Sequence, residues 1–92
     1  MKIVWTEEAK QTYLQTIEFI LSKWTVDVAE NFETEVNRIL NFISQNPKLF
    51  IRSKKKRLHK AVISEQTSLI YKVIDQQIFL VTFVDNRSDH KF

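Results

Sequence analysis

The chain has no glycine at all, and this absence removes more folds than any motif in it supplies. Gly-rich phosphate loops and the dinucleotide-binding turn need backbone that approaches its ligand without a side chain, so both readings fall together. With a single proline, at position 47, the chain also lacks flexible linkers and low-complexity stretches. No internal repeat is visible. The 92 residues make one domain, 1–92, with modest room for a core. There is no cysteine, which excludes disulfides and a thiolate zinc site. The N-terminus is charged too early for a signal peptide, and no apolar run is long enough to span a membrane. A cytoplasmic, soluble protein is expected.

Charge is divided unevenly along the chain. Residues 1–46 carry seven acids against four bases, and residues 47–92 carry ten bases against four acids. The excess centres on "RSKKKRLHK", in which Arg52, Lys54, Lys55, Lys56, Arg57 and Lys60 fall together without an acid. Such a segment either keeps a loop solvated or attracts polyanions and acidic partners. Arg52, Lys54, Lys55, Lys56 and Arg57 are the candidate nucleic-acid-binding residues.

The apolar pattern switches period midway. "KIVW" (2–5) reads as a short strand, and Thr6-Glu7-Glu8 as a helix N-cap followed by acids that favour the first turn. Ala9, Tyr13, Ile17, Ile20 and Trp24 then recur at helical steps. A second stripe follows, of Ala29, Phe32, Val36, Ile39, Leu40 and Ile43, and the short "SKWTVD" between them predicts an antiparallel helix hairpin ending at Asn46-Pro47. Residues 57–63, 68–74 and 78–84 are rich in β-branched and aromatic side chains and are separated by short polar breaks, a three-strand meander. The expected fold is α+β in the order β-α-α-β-β-β, the hairpin packed on a mainly antiparallel four-stranded sheet.

That order, with an opening "IVWTEEA", a hairpin closing on "NPKL", a central "SLIYKVID" and a final strand ending in "DNR", resembles the RelE/ParE toxins of bacterial type II toxin–antitoxin systems, also called plasmid-stabilisation proteins. The resemblance runs nearly end to end. It implies a small toxin silenced by a cognate antitoxin, which wraps an acidic or amphipathic segment over it. Some such toxins cut messenger RNA on the ribosome and others poison DNA gyrase without catalysis. Fold does not choose between them.

Metal-independent RNA cleavage needs a proton acceptor, a proton donor and cations for the developing phosphorane charge. Arg87 matches the arginine that RNA-cleaving members place at the end of the last strand, and Lys60 matches a basic residue on an earlier one. His90 is a candidate acid or base, because imidazole titrates near neutrality. Arg87, Lys60 and His90 are therefore the candidate catalytic residues, expected on one face with the basic segment. Two departures stand against cleavage: the central-strand arginine of those members is Ser68 here, and no tyrosine follows Arg87. Tyr71, Trp5 and Trp24 read as packing residues and His59 as a neighbour of the basic loop. Asp85, Asp89 and His90 do not read as a metal site, since Arg87 among them would oppose a cation, and no cofactor is expected. Arg87 and His90 favour a toxin that acts by ribosome-dependent cleavage of messenger RNA, the alternatives being a non-enzymatic gyrase inhibitor and a non-toxic nucleic-acid-binding relative.

Overall fold

A computed structural model describes residues 1–53 and 57–87. The elements are β1 (Lys2–Trp5), α1 (Glu7–Lys23), α2 (Val26–Gln45), β2 (Ile51–Arg52), β3 (His59–Val62), β4 (Thr67–Ile74) and β5 (Gln77–Asp85). The strands form one sheet in the order β1-β5-β4-β3-β2, antiparallel except for the parallel pairing of β1 with β5. Four strands are those the sequence predicts. The fifth, two-residue β2, extends one edge where the sequence reading has only a basic loop.

Both helices begin on a threonine. The Thr6 hydroxyl accepts the Ala9 N–H at 3.1 Å, and Thr25 accepts the Val28 N–H at 3.3 Å. Each satisfies a donor that the first helical turn leaves without a partner. Thr6 also donates to the Leu80 carbonyl at 2.6 Å, so the cap of α1 is tied to β5 as well. All six residues of the predicted α2 stripe are buried. In α1 only Ala9 and Ile20 are fully buried, while Tyr13 and Ile17 pack against the core from its rim. Trp24 is not part of that stripe: it is the residue that ends α1, and it stands 45% exposed.

The hairpin covers one face of the sheet. On β3 and β4 that face carries His59, Ala61, Leu69 and Tyr71, and on β5 it carries Ile78, Leu80 and Phe83. Leu80 and Phe83 are three apart, which strict strand alternation forbids. A register shift at Ile70/Tyr71 pairs Tyr71 with Leu80 but Ile70 with Thr82, leaving one extra residue on β5. This is a β-bulge, and it inverts which side chains face the helices from that point on.

Without glycine, left-handed backbone has to be carried by other residues. Arg57, Asp75 and Gln76 have φ of 55°, 50° and 62°. Asp75 and Gln76 form the two-residue link between β4 and β5, where positive φ at both positions matches the sheet's twist. Each such residue costs about 1–2 kcal/mol relative to right-handed backbone.

Candidate functional site

Beyond Trp5, β5 has no β1 to pair with, and α1 takes over. Thr12 donates its hydroxyl to the Glu8 carbonyl at 2.9 Å and accepts the Phe83 N–H at 2.9 Å, closing the ladder at the bulge. From there β5 runs beside α1 to Asp85, Asn86 and Arg87. Between α1, α2, the 64–67 turn and this strand end lies a groove of about 640 Å³, floored by Phe19, Ile20, Phe32, Ile63 and Phe83.

Arg87 stands at the mouth of that groove. Its Nε and a terminal nitrogen donate to the two Asp85 carboxylate oxygens at 3.1 and 2.9 Å, and its backbone N–H donates to the same carboxylate at 2.8 Å. The guanidinium carbon lies 6.0 Å from the centre of the Phe19 ring. Hydrogen bonding to Asp85, and then the charge of that carboxylate, raise the Arg87 pKa further above its usual range. The guanidinium is thus oriented but exposed, with Asp85 as its counter-ion.

Asn86 points the other way. The Ser68 hydroxyl donates to Asn86 Oδ1 at 2.6 Å, and Asn86 Nδ2 donates to the Ser64 and Glu65 carbonyls at 3.3 Å each. The Asn86 backbone N–H reaches the Gln66 carbonyl at 2.8 Å. Ser68 is completely buried. Position 68, where the resemblance leads to the expectation of an arginine, is therefore filled by a small buried hydroxyl. It helps pin the β3–β4 turn to the end of β5.

Lys60 and Arg87 lie on opposite faces of the sheet. Lys60 sits between His59 and Ala61, both of which face the core, so its own side chain faces away from the helices. Arg87 reaches α1 on the helix side. The single-face arrangement expected from the sequence is corrected here, and the bulge is the reason. Counting by twos from Leu80 puts residue 87 on the side of Lys60, and the extra residue moves it to the other.

His59 is buried, stacked on Tyr71 with ring centroids 4.9 Å apart, and Nδ1 lies 3.1 Å from the Phe50 carbonyl. It is a packing residue rather than part of a solvated loop. Tyr71 is packing as expected, its hydroxyl donating to the Pro47 carbonyl at 2.7 Å. Trp5 packs on Tyr13 and Phe83. Of the candidate nucleic-acid residues, Arg52 stands opposite His59 on edge strand β2 and Arg57 is exposed. Lys54, Lys55, Lys56, Asp89 and His90 lie outside the described residues. Among the described residues no three His, Asp or Glu side chains gather as metal ligands. No helix among them is long and apolar enough to cross a membrane.

Sequence reasoning missed three participants. Asn86 gave no signal beyond its place in "DNR". Ser68 stands out in the sequence only as the absence of an arginine. Phe19, which carries the guanidinium, lies off the apolar stripe of α1, and that offset was the available sign that it serves something other than the core.

No protein-family model matches the chain, and no curated protein matches it. Solved structures do. A chain of the chromosomal ParDE TA system from P. aeruginosa superposes with a TM-score of 0.78 at 12% identity, over 92% of this chain and 95% of that one. The fold here is that of the RelE/ParE toxins. The YoeB/ParE toxin from Agrobacterium tumefaciens shares it at a TM-score of 0.68 and 15% identity, over 94% of this chain and 99% of that one. A chain of the YoeB-YefM complex from Staphylococcus aureus does so at 0.63 and 16%, over 91% and 94%. The likeness accordingly spans more than nine-tenths of each of these neighbours.

Proposed function

We propose that this chain is the toxin of a type II toxin–antitoxin pair and that it halts growth by binding its target rather than by cutting RNA. One observation carries the second half of the reading: Ser68 is fully buried and bonded to Asn86. An arginine there could place a cation beside a scissile phosphate, whereas a buried hydroxyl committed to Asn86 cannot. The opposite orientations of Lys60 and Arg87 support the same reading, because a phosphorane needs its cations convergent. DNA gyrase is the target that the resemblance offers for a toxin of this kind. A cognate antitoxin, as in the YoeB-YefM complex, is the partner that would hold it silent.

The endoribonuclease remains the competing reading, with Arg87, Lys60 and His90 as its catalytic set. Among the described residues it rests on Arg87 and Lys60, which face opposite sides of the sheet. Purified protein is added to a gyrase supercoiling reaction and, separately, to a reconstituted translation system. The expected result is loss of supercoiling with intact message. Ribosome-dependent cuts that vanish in Arg87→Ala overturn the binding reading and restore the nuclease.

A further inference from the structure

The Asp85 carboxylate is fixed at the end of β5 independently of the guanidinium that meets it. The Arg87 backbone N–H donates to Asp85 Oδ1 at 2.8 Å, the bond by which an aspartate holds the chain two residues further on. The carboxylate therefore stays in place whichever way the Arg87 side chain turns. Nε then donates to Oδ1 at 3.1 Å and a terminal nitrogen to Oδ2 at 2.9 Å. That edge of an arginine is the one a phosphate takes in a two-bonded grip. One face of the same guanidinium lies toward Phe19. An incoming group is left the far edge alone, and a phosphate there would stand beside a fixed negative charge.

The adjoining groove adds to that repulsion. Among the described residues its charged lining is Glu35, Glu65, Asp85 and Arg87, three acids and one base, in a chain whose net charge is +3. Glu35 is held by Arg38 at 2.6 Å, but among the described residues no ion pair engages Glu65. The basic segment lies elsewhere. Arg52 pairs with His59, the first residue of β3, whereas the groove lies against the turn beyond the last. An uncharged acceptor, such as a backbone carbonyl, meets no such repulsion at Arg87. The exposed rings of Phe19 and Trp24 offer the same partner an apolar surface. Charges set against the wrong partner are how a site of this kind discriminates. We infer that Asp85 sets the selectivity of the Arg87 site, denying the guanidinium to phosphodiesters and leaving it for uncharged acceptors on a protein target. The inference rests on the target-binding reading above and deepens it, since the same arginine would serve nucleic acid if position 85 lost its charge.

Oligouridylate is titrated against the unaltered chain, Asp85→Asn, Glu65→Gln, Arg87→Ala and Asp85→Asn/Arg87→Ala at two salt concentrations. Far-ultraviolet dichroism checks that each is folded. Asparagine keeps an oxygen for the Arg87 N–H and removes the charge, and Asp85→Ser replaces it if Asp85→Asn does not fold. Asp85→Asn is expected to bind oligouridylate about fivefold more tightly than the unaltered chain at low salt, with a logarithmic salt slope steeper by about one. The gain should disappear when Arg87 is also alanine, and Glu65→Gln should gain less. Equal affinity of the unaltered chain and Asp85→Asn, a gain that survives Arg87→Ala, or an equal gain in Glu65→Gln overturns the proposal. Gyrase supercoiling is followed separately with the unaltered chain. Undiminished supercoiling overturns the target-binding reading, whereas the oligouridylate titrations decide the role of Asp85 whatever that outcome.

Discussion

Tyr71 shows how one side chain ties the core to a loop. Its ring stacks on His59 inside the sheet–helix interface, and its hydroxyl, bonded to the Pro47 carbonyl, fixes the exit from α2. Burial pushes its pKa up to about 12, against an ordinary value near 10. The folded state therefore keeps a proton that the unfolded chain releases. The stabilisation is complete below pH 10 and is lost as pH rises to about 12. Tyr71→Phe is expected to lose about 1 kcal/mol at neutral pH for the hydrogen bond and the Pro47 carbonyl left behind. Its urea midpoint should then fall less steeply than the parent's across the alkaline range. Arg87 is the contrasting case. Its ion pair with Asp85 is exposed, so it contributes little to stability, and what it supplies is orientation.

The secondary-structure elements are held by their ends. Thr25 only caps α2, but Thr6 caps α1 and also bonds the Leu80 carbonyl of β5. Thr25→Ala is expected to cost about 1 kcal/mol and Thr6→Ala about 2 kcal/mol, read from urea unfolding midpoints. The β4–β5 turn carries the conformational burden of a chain without glycine. Gln76→Gly should relieve the positive φ at that position and stabilise the fold by about 0.5–1 kcal/mol, after the added freedom of the unfolded chain is set against it. The α2 stripe was legible because six apolar residues at helical spacing all serve one face. The faces of β4 were not, because Thr67–Tyr71 are all buried and the period-two signal is erased. Strand β2 is too short to carry any pattern.

One core joins the hairpin to the sheet, since side chains of α1, α2, β3, β4 and β5 belong to the same buried cluster. Without cysteine or a second core, the domain has no part that can remain folded alone. Unfolding should be a single transition, as is usual for domains of this size. The check is a Trp24→Phe variant, which removes the exposed indole and leaves Trp5, packed on Tyr13 and Phe83, as the core fluorophore. Its fluorescence and far-ultraviolet dichroism should share one urea midpoint, and two separated midpoints would show the helix layer and the sheet parting independently. Charge is divided between the two layers of the fold, with seven acids in the helices and Lys2, Lys60 and Lys72 on the face of the sheet away from them.

Element order, the helix hairpin, the antiparallel meander and the buried stripe of α2 all follow from local periodicity. Each depends on side chains only a few residues apart, so the amino-acid order alone contains them. The facing of Arg87 does not. It turns on one extra residue in β5, which is stabilised by Thr6 and Thr12 from a helix some seventy positions earlier in the chain. A bulge leaves no local mark in a run of β-formers, yet it reverses every side chain that follows. For that reason the candidate residues could be named from sequence, while the separation of Lys60 from Arg87 emerged only when the strands were paired.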